Sequence, residues 1–187
     1  NEFKTAIFGC YALLSDYYSS SNIPGGSGST EMETFFLPGD DITTQAQEAY
    51  ELFGNRLNST EPKLAQVFGI SYILCNRCNK VIKAFGNLAD GVFRTPHLKE
   101  YNMGEALFRR GYAHYMLWNL FGTAPLDTAD IVSMDQFNPP NSSGTQLLDQ
   151  AIADFTQAAG LLPDSWGPQD LGRVTANSAN GMLGKSL

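Results

Sequence analysis

Glu105-Ala106-Leu107-Phe108-Arg109-Arg110-Gly111-Tyr112-Ala113-His114-Tyr115 decides the fold. Its apolar and small residues recur at the three- and four-residue spacing of a helix face. Gly111 and Ala113 are the small residues that let a neighbouring helix approach closely. A glycine inside a helix costs about 1 kcal/mol relative to alanine, so Gly111 implies a packing reason. The helix is read over residues 97–121 and is closed by Gly122 and Pro125.

Downstream, Ala151, Phe155, Ala158 and Pro163 are spaced by four, three and five residues. Two alanines admit a close neighbour, Phe155 fills the gap between them, and Pro163 stops the helix. This order resembles the second helix of a tetratricopeptide (TPR) repeat, with Glu105–Tyr115 as the first. Ala176, Ala179, Gly181 and Gly184 supply small contact residues in a last helix, which begins after Gly172 and runs to Leu187.

The remaining helices follow from periodicity. Phe3, Ile7, Cys10, Leu14 and Tyr17 form one buried stripe over residues 3–18. Pro62 opens a long helix that reaches Gly86, with Leu64, Val67, Phe68, Ser71, Ile73, Leu74, Cys78, Val81, Ile82 and Phe85 filling a broad apolar face. A third helix covers residues 144–161. Residues 19–30 are a Ser/Gly loop, and residues 31–45 are irregular with an acidic tip. Thr43 or Thr44 caps a short helix reaching Phe53. No β alternation is sustained. The expectation is an all-α protein built from TPR-like antiparallel helix pairs over about 62–187, with long irregular loops.

Composition narrows the function. The 187 residues carry a net charge of −7, with 43% hydrophobic and 12% aromatic residues. Phosphate binding needs clustered Lys and Arg, so nucleic acid is excluded as a partner. Arg77, Lys80 and Lys83 are the single basic run, and they read as a solvated helix face. No segment reaches the ~20 apolar residues of a membrane span. The start at Asn1 reads as a processed or trimmed beginning, with any export signal outside this sequence.

Metal and redox sites find no support. Cys10, Cys75 and Cys78 form no disulfide framework. Cys75-x-x-Cys78 lacks the second ligand pair of a zinc site, because His97 and His114 stand at no standard spacing. Both cysteines fall inside an apolar helical run and read as buried helix-face thiols, as does Cys10. His114 reads as a satisfied core or groove histidine. No cofactor motif is present: phosphate loop and nucleophile elbow are both missing. The adjacent carboxylates Asp40 and Asp41 cannot supply a glycosidase pair, which is held several ångströms apart across a cleft.

Four ordered elements carry a more specific resemblance. Arg109 through Phe121-Gly122-Thr123-Ala124-Pro125-Leu126 resembles the hallmark helix of the RagB/SusD family. Asp149-Gln150-Ala151-Ile152-Ala153-Asp154-Phe155 with Leu162-Pro163 resembles its "I-x-D-(L/F)" helix. Gly172-Arg173-Val174-Thr175 resembles its "GR-(A/V)-T" element, and Gly9-Cys10-Tyr11-Ala12-Leu13-Leu14 its opening helix. The chain reads as the N-terminal portion, residues 1–187, of a single SusD-like domain and covers less than half of a family member. The resemblance implies a non-catalytic protein, lipid-anchored at the N-terminus on the outer face of the outer membrane. It implies capture of glycan, or another nutrient oligomer, for a SusC-type TonB-dependent transporter. Under that resemblance Phe36, Asp40 and Asp41 are glycan-contact candidates, since an aromatic face suits a sugar ring and carboxylates accept from hydroxyls. Trp166, in a Gly/Pro loop, is either a sugar platform or a loop staple. The alternative reading is a TPR-type scaffold that binds protein segments.

Overall fold

Apolar spacing and the glycine and proline punctuation place five helices in the computed structural model, which describes residues 2–18, 62–93, 95–129 and 138–187. They are α1 (Glu2–Tyr18), α2 (Pro62–Gly86), α3 (Leu98–Phe121), α4 (Gln146–Leu161) and α5 (Ala176–Ser186). Short 3-10 turns occur at Asp90–Val92 and Pro168–Asp170. Among the described residues the only β pairing is an isolated bridge between Pro125 and Asn141. The protein is all-α. The helix read as reaching Phe53 lies outside the described residues.

The chain divides into two compact units. One comprises residues 11–70. Its described residues are the second half of α1 and the first part of α2, which bury Leu13, Val67 and Ile70. The other comprises residues 1–10 and 71–187 and contains α3, α4 and α5.

In the second unit α3 is the spine, buried along most of its length from Asn102 to Leu117. It runs antiparallel to α4. A Cβ at Gly104 would lie 2.9 Å from Leu162 Cγ, and one at Gly111 would lie 3.0 Å from Asp154 Cβ. Further along, Leu117 joins Leu147 and Ala124 in one buried cluster, against which Tyr72, Trp118 and Phe121 pack. As α3 advances, its partners on α4 recede, and the two small residues set the closest approach. Phe155 is fully buried and its ring stands 5.5 Å from that of Phe108. Packing therefore overrides the propensity cost of Gly111.

The helix ends follow local chemistry. Gly122 takes a φ of 68° and its N–H donates to Trp118 O at 2.8 Å, closing α3. Thr175 caps α5: its hydroxyl accepts from the Ser178 N–H, and the Ser178 hydroxyl accepts from the Thr175 N–H. His97, before α3, is left-handed with φ 60°.

One expectation for α5 divides. Ala176 and Ala179 are buried, but a Cβ at Gly181 or Gly184 meets nothing within 4 Å. Only the alanines act as contact residues among the described residues, because the two glycines fall outside the stripe turned toward α4.

Candidate functional site

The loop from Leu162 to Thr175 is positioned from α3. Glu105 is fully buried on that helix. It accepts two bonds from Arg173, Nε to Oε1 at 3.0 Å and Nη2 to Oε2 at 2.6 Å. Such a fork fixes both distance and orientation. Arg173 also donates to Asp170 at 3.1 Å, and Asp170 pairs with Lys4 at 3.5 Å. Gly172, at φ 90°, supplies the left-handed turn that aims Arg173 inward.

Trp166 is held by the same device. Its indole N–H donates to Val174 O at 2.8 Å. The Arg173 guanidinium lies 3.8 Å from the ring centroid. Tyr101 of α3 meets the indole edge to face at 5.5 Å. The half-buried Trp166 thus fastens the loop to α3. Phe36, Asp40 and Asp41 lie outside the described residues, so Trp166 is the one sequence-identified candidate among them.

A second polar cluster lies deeper. Arg110 and Asp154 form a bidentate pair, Nε to Oδ2 at 2.9 Å and Nη2 to Oδ1 at 2.7 Å. Asn79 accepts from Arg110 at 3.0 Å and donates to Asp127 at 2.8 Å. Gln150 adds a bond to Asp154 at 2.9 Å. Against the penalty of burial, the bonds with Asp154 hold the Arg110 guanidinium above its ordinary value. This pair joins α3 to α4 and anchors the segment after α3.

His114 is fully buried beside that pair. Burial, and then the positive charge of Arg110, push its pKa down to about 3. It is a neutral core histidine. Its polar contacts are loose: Asp154 Oδ2 lies 4.0 Å from Nδ1, and a hydrogen bond with the Asp127 backbone offsets part of the downward shift. Its Nε2 lies 3.7 Å from the Cys75 thiol.

The cysteines are free and buried. Burial pushes Cys75 and Cys78 well above the ordinary thiol range, so neither is a nucleophile at neutral pH. Among the described residues no cluster of three or more His, Cys, Asp or Glu side chains is placed to hold a metal ion. No described helix is long and apolar enough to cross a membrane.

The sequence patterns identified neither ion-pair cluster. Their partners are 44 and 68 residues apart. The available signal was the density of Glu and Arg on an otherwise buried helix face, since such charges need partners.

The model of a SusD-like family, described as starch-binding and associating with the outer membrane, matches residues 11–186. Among curated proteins nothing matches the chain. Similar solved structures include surface glycan-binding protein A from Bacteroides uniformis, with 20% identity and a TM-score of 0.82, covering 99% of this chain and 41% of that one. A SusD superfamily protein from Bacteroides vulgatus is 25% identical with a TM-score of 0.80, covering 98% of this chain and 38% of that one. A laminarin-binding SusD-like protein is 20% identical with a TM-score of 0.78, covering 99% and 39%. The chain spans about two fifths of the length of these structures.

Proposed function

The chain belongs to the SusD-like family of non-catalytic carbohydrate-binding proteins associated with the outer membrane, and from that premise we propose that the protein captures glycan at the cell surface and delivers it to a SusC-type TonB-dependent transporter. Anchorage is through an N-terminal lipid. The helices from about 62 to 187 belong to the N-terminal portion of one SusD-like domain, and serve mainly as scaffold. The observation that carries the reading is the family match across residues 11–186. It is supported by structural neighbours whose names specify laminarin and a xylogluco-oligosaccharide.

Phe36, Asp40 and Asp41 are the proposed sugar contacts on the acidic loop. An aromatic ring covers the apolar face of a pyranose, and carboxylates accept from its hydroxyls. Trp166 is the proposed fourth contact, through the part of its indole that Arg173 and Tyr101 leave open.

Affinity electrophoresis of the intact protein in gels containing starch, laminarin or xyloglucan tests the capture role. Retardation in at least one gel is expected, weakened in a Phe36→Ala, Asp40→Asn, Asp41→Asn triple variant. Unretarded migration in all three gels overturns it. Copurification from solubilised outer membrane tests delivery: recovery with a β-barrel transporter is expected, and recovery alone contradicts it.

A further inference from the structure

A cleft of about 380 Å³ opens where the start of α3 faces the end of α4. It lies at the low end of small-molecule sites, which run from about 300 to 1,000 Å³. Tyr101, Leu161, Leu162 and Pro163 give it apolar surface, and Glu100 and Asp164 give it two carboxylates.

Three features mark it as built for a ligand. Among the described residues neither carboxylate has a hydrogen bond or ion pair, and the Tyr101 hydroxyl has no hydrogen bond. The other acidic side chains of this region, Glu105, Asp154 and Asp170, are all paired. Second, the cleft borders the sole non-glycine residue among the described ones with a left-handed backbone, His97 at φ 60°. The His97 ring lies 5.9 Å from that of Tyr101, so the turn sets one wall of the cleft. Third, its position is fixed from both sides. Gly104 admits Leu161 and Leu162 against α3, and Trp166 braces Tyr101 through the edge contact at 5.5 Å.

We propose that this cleft is an accessory sugar subsite, separate from the acidic loop, which takes one or two neutral pyranose rings; the proposal rests on the glycan-capture reading. Leu161, Leu162, Pro163 and Tyr101 cover the apolar face of a ring. Glu100 and Asp164 accept from its hydroxyls, and the Tyr101 hydroxyl donates or accepts at the edge. A hydrated ammonium group would gain from the carboxylates but would forfeit the apolar lining, so a neutral ring is the better match.

Methyl NMR of the intact protein tests this locally. Maltotriose, laminaritriose and cellotriose are titrated separately, with trilysine as the cationic control. Saturable shifts of the Leu161 and Leu162 methyls are expected with at least one trisaccharide. Tyr101→Ala is expected to weaken that binding about tenfold or more. Asp164→Asn, on an exposed side chain that does not threaten folding, is expected to weaken it about threefold. Methyls that stay still with all three sugars, that respond to trilysine instead, or that titrate unchanged in both variants overturn the subsite. Gel retardation of the same protein by a polysaccharide, with the methyls unmoved, removes the subsite and leaves the capture role standing. Unmoved methyls without retardation remove both.

Discussion

His114 is the residue whose chemistry is most displaced by the fold. Its pKa of about 3 lies below the 6.5 of an unfolded histidine. The unfolded chain therefore takes up the proton first. The stability that neutral His114 supports is complete above about pH 6.5 and is lost as pH falls toward 3. The loss is about 1.4 kcal/mol per pH unit at most. Burial raises the Asp154 carboxyl, which works in the opposite sense, so the histidine is isolated by difference. Denaturant unfolding at pH 7 and pH 5 is expected to show a smaller pH effect in His114→Gln than in the wild type. Equal effects would mean that His114 is not buried neutral. The neighbouring Arg110–Asp154 pair behaves differently, because both charges are already partnered. Arg110→Ala leaves the fully buried Asp154 without its fork and is expected to cost about 3–5 kcal/mol in the same assay. The double variant Arg110→Met, Asp154→Leu is expected to recover most of that.

Glycines separate what packing decides from what propensity decides at the scale of the helix. Alanine at Gly111 gains about 1 kcal/mol of propensity, but its Cβ would sit 3.0 Å from Asp154 Cβ and 3.2 Å from the Ala151 carbonyl oxygen. Neither is the far end of a flexible side chain. Gly111→Ala is therefore expected to destabilise by about 1–3 kcal/mol in thermal or denaturant unfolding. Gly181 has open space around it, so Gly181→Ala in residues 1–187 is expected to stabilise by up to about 1 kcal/mol. The Thr175 cap gives a third comparison: Thr175→Ala is expected to cost about 1 kcal/mol.

The same elements explain what could be read in advance. Helix positions were legible because apolar periodicity, Pro62, Gly122 and Pro163 act within a few residues of where they stand. Gly111 was legible as a contact because a glycine inside an amphipathic helix is costly without one. Gly181 looked identical in sequence and differs only in the face it occupies. The Glu105–Arg173 and Arg110–Asp154 forks depend on the register of α3 against later segments, which no local pattern encodes. Trp166 kept two readings open for the same reason. Its bond to Val174 and its cover by Arg173 exist only once the loop is closed onto α3.

For the molecule as a whole, a charge-poor all-α scaffold holds the loop after α4 by buried ion pairs, and leaves two carboxylates and a tyrosine hydroxyl beside it without hydrogen bonds among the described residues. The family match is to non-catalytic carbohydrate-binding proteins, so the proposed role is to hold a glycan without transforming it. Isothermal titration calorimetry of the intact protein with starch, laminarin and xyloglucan oligosaccharides, followed by chromatography of the recovered ligand, tests this central claim most directly. Saturable binding of at least one oligosaccharide, recovered at its original length, is the predicted result. The absence of binding to every one, or recovery of shortened ligand, would contradict it.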